Sequence, residues 1–124
     1  MKPEDMEVLQ RSRPWLVHGG TCIATPVGSS WEVHEISLEQ AKAIARLGLR
    51  SGLSEEVEVQ RLSHVLGVAL QLGQCPSHLE VGDTALIAYL DLEAAKARHA
   101  RGLKVSLDWT WSEAIRWRLL RRTK

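Results

Sequence analysis

The segment SLEQAKAIARLG, residues 37–48, limits what the chain can fold into more than any other. Ser37 stands where an N-cap belongs, and Gln40, three positions on, completes a capping box that satisfies two backbone N–H groups. Leu38, Ala41, Ile44 and Ala45 fall on one helical face. Gly48 supplies the stop. A helix with one apolar stripe needs an apolar surface to bury it on. The chain offers one in LEVGDTALIAYL, residues 79–90, an apolar strand entered through the turn Val81-Gly82-Asp83.

Helix and strand signals continue along the chain. WLVHGGTCIA, residues 15–24, reads as a strand interrupted at Gly19-Gly20, and TPVGSS as a turn. WEVHEI, residues 31–36, alternates Trp31 and Val33 with Glu32 and His34, so it is expected to be half-buried and to form a hairpin with the first strand. A second helix is expected to start at a Ser54 cap, with Glu55 and Glu56 favouring its positive end. It turns Val59, Leu62, Val65 and Leu66 to the core and ends at Gly67. VALQL, residues 68–72, reads as a short strand, and DLEAAKARHARG, residues 91–102, as a helix capped by Asp91 and stopped by Gly102. KVSLDWTW, residues 104–111, alternates as a strand does. Thr110 with Glu113 then forms a capping box for a last, basic helix through EAIRWRLLRR. These elements predict one α/β domain over residues 15–124, a small mixed sheet flanked by helices, behind a polar arm of residues 1–14.

Composition bounds the rest. At 124 residues, 44% hydrophobic and 25% charged, the chain can bury one core. A formal net charge of +1 exerts no global pull on nucleic acid or membrane. The end of the chain is nevertheless basic: Arg98, Arg101, Lys104, Arg116, Arg118, Arg121, Arg122 and Lys124 face only Asp108 and Glu113, which suits a local anionic partner such as nucleic acid on the C-terminal helix. Two cysteines, Cys22 and Cys75, without a CxxC, suit reduced thiols in a cytoplasm. No signal-peptide pattern opens the chain, and no stretch reaches the roughly 20 apolar residues of a membrane span, so no membrane partner is expected.

The motifs that could carry chemistry are few. His18, His34, His64, His78 and His99 show no i, i+4 pair and no HExxH, so neither a metal nor another cofactor is signalled. No GxSxG elbow supports a Ser-His-Asp arrangement. The VHGGTC run could bring backbone N–H groups and the Thr21 hydroxyl to a phosphate, although a plain β-bulge explains its glycines as well. Trp109, Trp111 and Trp31 fit core packing better than base stacking, because they lie on the apolar side of alternating strands.

The run WEVHEISLEQAKAIARLGLRSG…RLSHVLGVALQLGQCPSHLEVGDTALIAYL resembles the small viral and bacterial ring-nuclease family that acts as anti-CRISPR proteins against type III systems. The resemblance covers about residues 16–90, with weaker agreement to Gly102. It implies a homodimer with a mixed sheet flanked by helices, binding cyclic tetra-adenylate across the dimer axis. It also implies metal-free cleavage, in which a ribose 2′-hydroxyl attacks the adjacent phosphate and a histidine protonates the leaving oxygen.

Carried onto this chain, the resemblance matches Thr21, after Gly20, to the family's small hydroxyl residue. The family's catalytic histidine falls on Glu55, or on Leu53 if two residues are inserted. Its asparagine-arginine pair falls on Gly73 and Gln74, and its RLxEG loop resembles RHARG, with Arg98 and Gly102 matched and the glutamate replaced by Arg101. Loss of the general acid implies a rate lower by on the order of a hundredfold or more. Arg98 and Arg101 could still hold phosphates through bidentate hydrogen bonds. The resemblance therefore implies a cyclic-oligoadenylate binder that sequesters or senses the messenger, in the host cytoplasm if virus-encoded. The alternatives are an active nuclease with Glu55 or His99 as substitute acid, and an interaction or nucleic-acid-binding module that kept only the fold.

Overall fold

In the computed structural model, residues 13–18, 26–106 and 113–124 are described. Five strands and three helices alternate: β1 (Trp15–His18), β2 (Trp31–Ile36), α1 (Leu38–Leu47), β3 (Arg50–Ser51), α2 (Glu56–Leu66), β4 (Thr84–Leu90), α3 (Leu92–Ala100) and β5 (Ile115–Arg122). The strands form one sheet in the order β2-β5-β4-β1-β3. β1 pairs in parallel with β3 and β4, whereas β5 runs antiparallel to both β4 and β2, so the sheet is mixed.

α1 and α2 cover one face of this sheet. Ala41, Ile44 and Ala45 of α1 and Val59, Leu62 and Leu66 of α2 join Leu16, Leu86, Ala88, Ile115, Trp117 and Leu119 in the main core. The Ser37–Gln40 capping box is present, and Gly48 caps the other end of α1. α2 closes at Gly67, in the left-handed region at φ +70°. α3 is capped by the Asp91 side chain, which accepts from Ala94 N at 3.1 Å, but buries no residue of its own. The other sheet face carries a smaller cluster, in which Val17, Leu79 and Ala85 are buried beside Trp15, Trp31, Cys75, Ile87 and Leu120.

The structure corrects several expectations. β1 and β2 do not form a hairpin; β5 and β4 lie between them, and β2 is an edge strand paired with β5. Leu16 and Val17 are both buried, so β1 needs cover on both faces and takes an interior position. β2 is more exposed than half-buried, with Val33 56% exposed, while Trp31 does pack against the smaller cluster. α2 has Glu55 as its N-cap rather than Ser54, with no side-chain hydrogen bond to the helix. VALQL is irregular; Ser63 Oγ accepts from Leu70 N at 3.2 Å and takes that backbone group out of any ladder.

The largest correction is at the C-terminus. EAIRWRLLRR is no helix, and its core is strand β5. Ile115, Trp117 and Leu119 are buried while Arg116 and Arg118 are exposed, a two-residue period that only a strand satisfies. The basic C-terminal helix, and with it the helical nucleic-acid surface, is therefore absent. Residues 104–106 of the expected strand KVSLDWTW are irregular, and Trp109, Thr110 and Trp111 lie outside the described residues.

Candidate functional site

Strand direction gathers the loops. β1, β3 and β4 run the same way, and β2, antiparallel to β5, runs with them. Four carboxyl ends therefore meet at one edge of the sheet, and all three helices start there. Ligands of open α/β sheets bind outside that edge, where loops cluster and helix N-termini carry partial positive charge.

Backbone contacts tighten this edge around β3. Gly52 N donates to Leu16 O at 2.8 Å, and Gly73 N donates to Leu53 O at 2.8 Å. The second bond lays the segment holding Gln74 alongside the turn that leads to Glu55. A Cβ on Gly73 would collide with the Ser51 carbonyl, so this approach needs glycine. Glu55 and Gln74 are both exposed. The chain leaves β1 at this edge through His18, a residue the sequence reading left unassigned; Gly20 and Thr21, which follow, lie outside the described residues.

Arg98, His99 and Arg101 sit elsewhere, at the far end of α3. Ten residues of helical rise put Arg101 about 15 Å from Asp91. Arg98 Nε donates to Lys104 O at 2.7 Å and folds back on its own helix exit. His99 is exposed, and Arg101 is the C-cap. Cys75 is half-buried within the smaller cluster and His64 is exposed, which suits packing and surface roles.

The sequence reading missed a polar cluster that crosses three strands on the face α1 and α2 leave open. Glu35 on β2 lies opposite Arg118 on β5, and Tyr89 on β4 lies opposite Arg116. Tyr89 Oη donates to Glu35 Oε2 at 2.6 Å, Arg118 Nε donates to Glu35 Oε1, and the Arg118 guanidinium stacks 4.2 Å above the Tyr89 ring. Arg116 Nε lies 3.4 Å from Asp91 Oδ2, and its Nη1 donates to Glu113 O at 2.6 Å. Hydrogen bonds from Tyr89 and then Arg118 hold Glu35 below the usual carboxylate range. Partial burial, then the bond to Glu35, pushes Tyr89 up, and the same carboxylate raises Arg118. The signal for this cluster was the two-residue spacing of arginines in IRWR, which a helical reading scatters around a cylinder.

Two more arginines stack on aromatic rings, Arg50 over Trp15 at 4.6 Å and Arg122 over Trp31 at 5.9 Å. A cavity of about 180 Å³ lies on the helical side, lined by Ile36, Ser37, Leu38, Val65, Ile115, Arg116 and Trp117. Among the described residues no three of His, Cys, Asp and Glu gather as a metal site, and no helix is long and apolar enough to cross a membrane.

These features define a single small α/β domain whose mixed sheet has two helices on one face, and whose strand ends and helix starts share one edge. No known family model matches the chain, and no curated protein matches it in sequence. Among solved structures it is similar to B116 of Sulfolobus turreted icosahedral virus, with a TM-score of 0.60. The two are 12% identical over 87% of this chain and 98% of that one, so the likeness is one of fold, with a viral protein.

Proposed function

We propose that the chain binds a cyclic oligoadenylate of type III CRISPR signalling, as a homodimer in the cytoplasm, and sequesters or senses it with cleavage weakened or lost. The observation that carries this reading is the shared edge, where the turn to Glu55, the Gln74 segment and the exit of β1 converge. A mixed sheet flanked by helices is the architecture the ring-nuclease resemblance implies, and the fold neighbour is a viral protein. In this reading Gly20, Thr21, Gln74, Arg98 and Arg101 contact the ring. Arg98 and Arg101 reach it from α3 of each protomer, across the two-fold axis.

No histidine stands where the family's general acid falls. Glu55 is exposed at the start of α2, and His99 lies on α3; these two are the candidate substitute acids for 2′-hydroxyl attack. Titration calorimetry with cyclic tetra-adenylate and with other cyclic nucleotides tests the binding, and absence of heat with every ligand overturns it. Incubation with labelled cyclic tetra-adenylate separates binder from enzyme: an intact ring is the expected result, and a linear product makes the chain a nuclease.

A further inference from the structure

We infer that Arg116 and Arg118, flanking Tyr89 on the open sheet face, form a site for two successive phosphates of an oligonucleotide. The inference deepens the reading above, on which the cyclic form of the ligand rests, while the anion site has its own evidence. Both side chains are only half covered, at 46% exposure each. Each is fixed from behind. Glu35 takes the Nε hydrogen of Arg118, and the Tyr89 ring supports its guanidinium plane. Asp91 and the Glu113 carbonyl do the same for Arg116. Arg118 also shares a side-chain hydrogen bond with Tyr89, and the exposed half of its side chain is what remains to meet an oxyanion.

Position and spacing choose the ligand. Arg116 lies at the start of β5 and Tyr89 near the end of β4, the sheet edge where Glu55 and Gln74 also lie. Residues i and i+2 of one strand are about 6.6 Å apart on the same face. That backbone spacing is comparable to the separation of neighbouring phosphates along a nucleotide chain. Two carboxylates balance the two cations, so recognition comes from fixed donor geometry more than from bulk attraction. The competing account makes Arg118–Glu35 only a clamp tying edge strand β2 to β5. Exposed pairs of that kind contribute little to stability, and a clamp requires nothing of ligand affinity.

The test is calorimetry on the full chain with 5′-phosphorylated diadenylate, adenosine monophosphate and cyclic tetra-adenylate, at two salt concentrations. The diadenylate should bind more tightly than the monophosphate. Arg116→Ala and Arg118→Ala should each weaken diadenylate at least tenfold and reduce the salt slope by about 1, while Lys96→Ala on α3 stays within twofold. Arg118→Lys keeps the charge and loses the fork; it should bind more weakly than the parent even if Arg118→Ala is too unstable to measure. If diadenylate and the ring both fail to bind, or the arginine variants bind like the parent, the inference falls. Arginine-dependent diadenylate binding without ring binding upholds this site and removes the messenger reading. Ring binding indifferent to both arginines does the reverse.

Discussion

Glu35 sits on the most exposed strand of the sheet yet is held by groups from two other strands. Its carboxyl is lowered first by the Tyr89 hydroxyl and then by Arg118. A lowered acid contributes stability above its unfolded value, about 4.3 for a free glutamate. That contribution disappears as pH falls through the lower folded value. Glu35→Gln should therefore melt only slightly below the parent at neutral pH, as befits a solvent-screened exposed pair, and the small gap should close at acidic pH; a gap unchanged from pH 7 to pH 2.5 refutes the coupling. Tyr89 has the opposite sign. Its raised hydroxyl contributes stability below about 10 that fades as pH rises through the folded value, so Tyr89→Phe should lose its deficit only under alkaline conditions. At Gly73 the issue is space rather than charge. Gly73→Ala should cost about 1–3 kcal/mol in urea unfolding, because the methyl meets the Ser51 carbonyl, part of the backbone.

At the scale of elements, legibility followed local determinants. α1 and α3 were readable because Ser37 and Asp91 are caps whose bonds lie within three residues. The turn before β4 was readable for the same reason: Glu80 N donates to Asp83 Oδ2 at 3.0 Å. Strand partners were not, since nothing in WEVHEI names β5 as its neighbour across more than eighty residues. β5 was misread because Thr110 and Glu113 fit a capping box while the two-residue burial of Ile115, Trp117 and Leu119 went uncounted. Of the candidate site, Glu55 and Gln74 came from the resemblance, and the Glu35–Tyr89–Arg118 cluster was invisible without the sheet register. α2 offers a direct test, for its N-cap Glu55 makes no side-chain bond. Serine is the better cap, so Glu55→Ser should stabilise the protein by about 0.5–1 kcal/mol. If Glu55 is a substitute acid, any ring cleavage vanishes in the same variant; gain of stability with cleavage retained removes Glu55 from that role.

For the whole molecule, α3 is the unresolved energetic question. Nine residues with none buried cannot hold a helix in water unaided. Around it Leu90, Leu92, Leu103 and Val105 are exposed, the last two on the exit carrying Lys104. Exposed aliphatics at both ends of a helix that buries nothing suit a surface that another molecule covers. In the proposed homodimer the cover is a second copy, and α3 at the axis brings Arg98 and Arg101 of both protomers to one cavity. Leu92→Glu adds a buried charge at that contact without touching the main core. Sedimentation velocity should show the parent as a dimer and the variant as a monomer. The variant should also lose the rise in melting temperature that saturating cyclic tetra-adenylate gives the parent, a rise of about 2.7 kcal/mol in stability at a hundred times Kd. A parent that sediments as a monomer, with and without ligand, leaves the arginines of α3 with no shared cavity and ends the two-fold site.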